Sequence, residues 1–229
     1  MIELLNTPAF GVTISTLFFI IGTFIYSKTK LIFLNPLLIA VTSIICILYF
    51  FNIPYSYYEK GSSFISLFLA PSTVLLAVPL YNRFSLLKKH FKAIIIGTLT
   101  GSIVSVTYIY IISKVLGIKK EIFLALLPKS VTTPIALEIT KNLNGIIPIT
   151  VVSVVITGIL GAIFSEYLLK IFRVKDKVAV GIAIGTASHA VGTSKAVEIG
   201  ETEGAMSGLA IGIVGIITVI IAPIVAYFY

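Results

Sequence analysis

Long apolar runs, separated by short and mostly basic polar stretches, set the pattern of this chain. Five runs are unbroken: Leu4–Tyr26, Leu31–Phe51, Ala93–Ser113, Ile146–Ile171 and Ala205–Tyr227. Each is long enough for a membrane-spanning helix, which needs about 20 apolar residues. The last run carries Gly208, Gly212 and Gly215, with Gly204 directly before it, and Ala93–Ser113 carries Gly97 and Gly101. Rows of small residues let a second backbone approach closely, and ordinary helix packing accounts for both.

Three further runs are apolar but interrupted: Phe64–Tyr81, Glu121–Lys141 and Lys177–Gly200. Pro71 and Pro79 bracket the interruption in the first, Pro128 and Pro134 in the second, Gly185 and Gly192 in the third. Proline removes an amide donor and clashes with the preceding turn. Backbone groups freed in this way are tolerated at membrane depth only inside protein or beside a watery cavity.

The second and third interrupted runs are copies of one another. A shift of 60 residues lays "SVTTPIALEI" (Ser130–Ile139) on "AVGTSKAVEI" (Ala190–Ile199), with Val131/Val191, Thr133/Thr193, Ala136/Ala196, Glu138/Glu198 and Ile139/Ile199 identical. Lys129 falls on His189, and the spanning runs that follow coincide under the same shift. The domain reading is therefore one transmembrane domain, 1–229. It has scaffold-like N-terminal helices at 1–60, a decayed copy at 64–113, and repeat units at 121–171 and 177–228.

Charge bears on how the units sit. Basic runs lie at Lys28/Lys30, at Arg83–Lys92 and at Lys170–Lys177, and basic loops stay cytoplasmic. The last two runs share a side if Glu121–Lys141 dips in and returns. Each arm of about nine residues then reaches roughly 13 Å, close to half of the hydrocarbon core. One hairpin plus one crossing helix reverses orientation, so successive units become inverted copies, as in many transporters. The rival is that both segments cross as broken helices. Lys114, Lys119 and Lys120, which would face outward in the hairpin version, speak for it. The expected fold is an all-α integral membrane protein. It has five or six full spanning helices, two or three re-entrant or broken helices, and an internal inverted repeat.

Composition agrees with this class and removes others. The 229 residues are 58% hydrophobic and 11% charged, less than half the charge of a soluble domain. The net charge of +8 is spread over short loops between apolar runs, so no nucleic-acid partner is expected. Cys46 is the only cysteine, which rules out a disulfide framework and a multi-cysteine metal site. "SKTK" follows the first run where a small-residue cleavage site would stand, so that run reads as a retained helix.

Candidate chemistry gathers at the two tips, "PKSVTTP" and "TASHAVGTS". Half-helices that end at the midplane aim their positive N-termini at the centre, where an anion can be held. Pro134 suits a first turn, with Thr132 or Thr133 as its cap; Thr193 and Ser194 are the expected caps of the other half-helix. The candidate substrate-binding residues are Lys129, Ser130, Thr132, Thr133, Pro134, Ser188, His189, Gly192, Thr193, Ser194 and Lys195. An ionisable residue inside a membrane segment marks a functional site by default. Glu138 and Glu198 suit proton coupling or structural pairing, and pairing of Glu198 with Lys195 across one turn is preferred. Glu166 faces a bundle interior or caps a helix end, with nothing to decide between them. Ser188 beside His189 does not make a hydrolase, because there is no G-x-S-x-G elbow and no third group. No glycine-rich phosphate loop is present either. No enzyme activity, metal or cofactor is expected.

"PKSVTTPIALEI", the Gly185–Gly215 stretch "GTASHAVGTSKAVEIGETEGAMSGLAIGIVG" and "LAPSTVLLAVPLY" resemble the LrgB/CidB family of bacterial membrane proteins over essentially the whole chain. The family is called antiholin-like or holin-like and was linked to control of murein hydrolases and lysis. It is also similar to the C-terminal part of the plastidial glycolate/glycerate translocator, and related bacterial pairs look like pyruvate transporters. The resemblance implies a small monocarboxylate substrate, a small LrgA/CidA-like membrane partner, and a multi-pass protein of the bacterial plasma membrane. A homo-oligomer in the lipid bilayer is expected. Two functions remain open: a secondary carboxylate transporter or transporter subunit, and a regulator of autolysis.

Overall fold

The computed structural model describes residues 5–29, 31, 34, 36–68, 71, 74, 81 and 84–229. Among them there are ten helices and no strand: α1 Pro8–Thr29, α2 Pro36–Phe50, α3 Tyr55–Ser66, α4 Phe84–Lys89, α5 Phe91–Val115, α6 Lys120–Leu126, α7 Thr133–Asn142, α8 Ile147–Ile171, α9 Lys177–Ile199 and α10 Glu201–Tyr227. Helices α1, α5, α8 and α10 are long and apolar enough to cross a membrane, and α2 is a shorter apolar helix. The chain is an all-α membrane protein. The first interrupted run, Phe64–Tyr81, lies largely outside the described residues.

Two compact units follow one another, Met1–Ser72 and Thr73–Tyr229. In the first, α1 packs on both α2 and α3. Its tightest crossing pairs Gly11 with Gly61, where a methyl group on either would meet the other helix's backbone. The Ser15 hydroxyl lies 3.1 Å from that of Tyr58.

The second unit is built on three spanning helices, α5, α8 and α10. Helix ends are closed by a recurring device. A residue at positive φ follows the last turn, at Gly117 (φ 61), Asn144 (φ 59) and Arg173 (φ 53). The next amide then returns to the carbonyl five residues earlier: Ile118 to Ser113, Gly145 to Thr140, Val174 to Leu169. These bonds satisfy carbonyls that a helix end leaves open.

Both interrupted runs of this unit fold back on themselves. Helices α6 and α7 enter and leave at one level, where the Ile146 amide reaches the Glu121 carbonyl at 3.4 Å. Thr150, just beyond, bonds both Thr140 of the outgoing arm (2.9 Å) and the Ala125 carbonyl of the incoming arm (3.0 Å). Helix α9 consists of two helical arms that meet at a break at His189, at φ 42 and ψ −140. Its arms run down and back along α10: Gly181 and Gly185 pack on 203–207, then Thr193 bonds Ser207 and Val197 meets Gly204.

The two hairpins enter from opposite ends. Phe123 of the first stacks on Tyr229 at the end of α10, with ring centroids 3.9 Å apart. Ile182 of the second packs on Ile94 at the start of α5 and on Met206 at the start of α10.

Candidate functional site

The first tip, 127–132, turns through bonds from the Lys129 amide to Leu126 and from the Val131 amide to Pro128. Thr132, extended at ψ 149, is the N-cap of α7, and Pro134 stands in the first turn. The cap is a backbone one. The Thr132 hydroxyl makes no capping bond and has no hydrogen-bond partner among the described residues, although it is buried. Lys129 Nζ donates to the Ser130 hydroxyl at 3.2 Å, and Ser130 lies 3.0 Å from the Ser105 hydroxyl in the middle of α5.

Lys129 and Ser130 border a cavity of about 640 Å³ between α5 and the first arm of α9. Gly97, Gly101, Ser105 and Tyr108 contribute from α5; Ile182 and Thr186 contribute from α9, and Asp176 stands at the far end. Gly97 and Gly101 let α5 approach the first arm of α9 closely beside the cavity, since a methyl group on them would run into Ile182 and Thr186 respectively. The Thr186 hydroxyl is buried and unpartnered among the described residues. The result is a mostly apolar cavity with one ammonium group and four hydroxyls, those of Ser105, Tyr108, Ser130 and Thr186, in its wall. That donor set suits a small anion with an apolar body.

The second tip is built differently. His189 is buried, and its Nε2–H donates to the Val154 carbonyl of α8 at 2.9 Å. A carbonyl can only accept, so Nε2 carries the proton. The ring rests on Gly158, where a methyl group would come within 2.6 Å of it. Ser188 packs on Gly161 and borders a separate apolar slot, with Gly192 beneath it. The expectation that Thr193 and Ser194 cap the second half-helix is corrected. The break comes four residues earlier, at His189, and both hydroxyls lie inside the outgoing arm. Thr193 bonds the His189 carbonyl (2.9 Å) and Ser207 (2.7 Å), and Ser194 bonds the Ala190 carbonyl (3.4 Å).

Lys195 does not reach the tip either. It forms ion pairs with Glu166 of α8 at 2.8 Å and with Glu198 at 3.3 Å, which gives Glu166 a role that the sequence left open. Glu138 is exposed on α7. Of the candidate residues, the structure therefore gathers Lys129 and Ser130 at the cavity and uses His189, Thr193 and Lys195 to hold the second hairpin. Ser105, Tyr108, Thr186 and Asp176, which the sequence did not single out, complete the cavity wall. Among the described residues, no cluster of His, Cys, Asp or Glu is placed to hold a metal ion.

The LrgB-like family model matches residues 15–228. A protein named antiholin-like protein LrgB, from Bacillus subtilis (strain 168), is 36% identical over 219 residues, covering 95% of each chain. Proteins of the same name from Bacillus mycoides (strain KBAB4) and Bacillus cereus (strain B4264) are 38% and 37% identical over 218 residues, again covering 95% of each chain. No solved structure matches the chain.

Proposed function

The chain belongs to the LrgB family, and we propose that it acts as an antiholin-like membrane protein whose physical work is to move a small monocarboxylate. The two halves of this reading have different support. The name shared by the relatives supports a part in lysis control, and this half has the stronger backing. The geometry supports transport, and one observation carries it: Lys129 Nζ stands at the inner end of a 640 Å³ cavity, at the tip of a hairpin set in the membrane. A cation at such depth costs several kcal/mol unless it is paired or hydrated, and one kept there marks a functional site by default.

The cavity's far end, at Ala93 and Asp176, lies at the more basic end of the unit, beside Lys92, Lys170, Arg173, Lys175 and Lys177. By the loop-charge rule that end is cytoplasmic, in the plasma membrane of a bacterium. The substrate class is pyruvate, glycolate or glycerate. A small LrgA/CidA-like membrane protein is the expected partner, with further copies of this chain.

Purified protein in vesicles, alone and with its partner, is tested for uptake of labelled pyruvate and glycolate and for leakage of a large dye. Transport predicts uptake without dye leakage. Lys129→Ala removes a charged donor of about 1.5–3 kcal/mol and lowers uptake roughly tenfold to hundredfold. Carboxylate movement that appears only together with dye leakage, and that Lys129→Ala leaves unchanged, rejects transport and leaves a holin-type action on the membrane itself.

A further inference from the structure

The second unit holds another built cavity, away from Lys129. The turn that ends α8, "KIFRVK" (Lys170–Lys175), places three cations within six residues. Lys170, Arg173 and Lys175 border a pocket of about 500 Å³ whose floor is Leu169, Val174 and Val180. Arg173 is held in the left-handed region at φ 53, and its amide and that of Val174 return to Lys170 and Leu169. The turn is thereby fixed with its guanidinium beside the pocket. Glu166 also borders the pocket, but its carboxylate is met at 2.8 Å by Lys195. The three cations are exposed; Lys170 shares the Glu166 carboxylate's field with Lys195, and Arg173 and Lys175 have no ion pair within 4.0 Å among the described residues.

Cations at a helix C-terminus can serve the helix dipole alone. A second feature points to a ligand. Beneath the basic pocket lies an apolar slot of about 290 Å³, between α8 and the first arm of α9, which shares Leu169 and Val174 with it. The slot passes from Phe172 past Leu168 and Ser165 to Gly161 and Ser188. Eleven residues of helix rise roughly 16 Å, about half of the hydrocarbon core. A basic pocket at the membrane surface that opens into a groove half a bilayer deep has the two parts of one lipid. The cytoplasmic leaflet, which this end faces by the loop-charge rule, is also the anionic one.

We propose that this is a binding site for a single anionic phospholipid. Its phosphate sits among Lys170, Arg173 and Lys175, and one acyl chain lies in the slot between α8 and the second hairpin. The chain end reaches Ser188, next to the break at His189, so the lipid braces the hairpin where it meets α8.

Native mass spectrometry of the purified full chain, offered equal phosphatidylglycerol and phosphatidylcholine with matched acyl chains, tests this. One phosphatidylglycerol should be retained in preference to phosphatidylcholine. Arg173→Gln with Lys175→Gln, both on exposed positions, should weaken that retention roughly thirtyfold. Ser165→Leu fills the slot and the exposed Phe172→Ser removes its apolar lip; each should weaken retention with the charges untouched. Circular dichroism checks that the variants keep wild-type helix content. Equal retention of the two lipids, an unaffected charge variant, or slot variants that both bind like wild type each overturn the proposal. Inorganic phosphate bound in place of lipid, equally well by wild type and Ser165→Leu, also overturns it and identifies a free-phosphate site.

Discussion

At His189 the backbone adopts φ 42 and ψ −140, a region that side-chain-bearing residues rarely visit and that costs about 1–3 kcal/mol. The imidazole offsets this by its bond to the Val154 carbonyl at 2.9 Å. Two substitutions separate the two effects. His189→Ala loses the bond and keeps the strain, so apparent stability falls by about 1–3 kcal/mol. His189→Gly loses the same bond but relaxes the backbone, so it falls less. Thermal unfolding in detergent should place the glycine variant above the alanine variant; equal melting temperatures would mean that the turn holds no strain. At this scale the sequence is legible wherever a charge interrupts an apolar run. Lys129 and His189 stand out for that reason, and both lie at the turns of their hairpins. Ser105 does not, because one hydroxyl within an apolar helix has no local signature, and only the fold makes it a cavity wall; Thr186 opens the second polar tip, and the fold brings it to the same wall.

The hairpin is the element that decides the architecture, and its ends make it testable. Lys119 and Asn144 flank α6 and α7 on one side of the unit, whereas Lys175 and Glu201 flank α9 on the other. Cys46 is the only native cysteine, so a Cys46→Ser background allows single reporters at those four positions. A membrane-impermeant maleimide should label Lys119→Cys and Asn144→Cys from one face, and Lys175→Cys and Glu201→Cys from the other. Broken crossing helices would split each pair between the two faces, and that pattern would reject the hairpins. The elements were largely open to reading. The expected Ala93–Ser113, Ile146–Ile171 and Ala205–Tyr227 correspond to Phe91–Val115, Ile147–Ile171 and Glu201–Tyr227, since apolar length is a strong signal. Pro128 and Pro134 marked the first tip correctly because proline acts locally. The second tip, 186–194, does contain the break at His189, but the expected start of its outgoing half-helix, near Thr193, lies too late. Glycines and hydroxyls allow a break at several positions from Gly185 to Ser194, and the carbonyl that selects His189 lies 35 residues away on α8.

For the unit as a whole, two hairpins entering from opposite ends give a barrier with two separately movable sides, which is what alternating access needs. On the basic side the moving wall would be the first arm of α9, which packs on α5 at Gly97 and Gly101 and lines the cavity with it. The outgoing arm is tied to α8 by the Lys195–Glu166 pair. That pair is partly exposed and contributes at most about 1 kcal/mol, weak enough to open if the protein transports as proposed. The wall can be locked at a chosen point. A Cβ on Gly101 would stand 3.6 Å from the Cβ of Thr186, inside the span that a disulfide bridges. Gly101→Cys with Thr186→Cys, in the Cys46→Ser background, should therefore cross-link on mild oxidation. If the arm moves against α5, the oxidised protein loses carboxylate uptake in vesicles and regains it on reduction, while Gly101→Cys alone is insensitive to the oxidant. Uptake that persists at the reduced rate after complete cross-linking would show that this wall is static. Substrate would then have to pass by movement of the first hairpin alone.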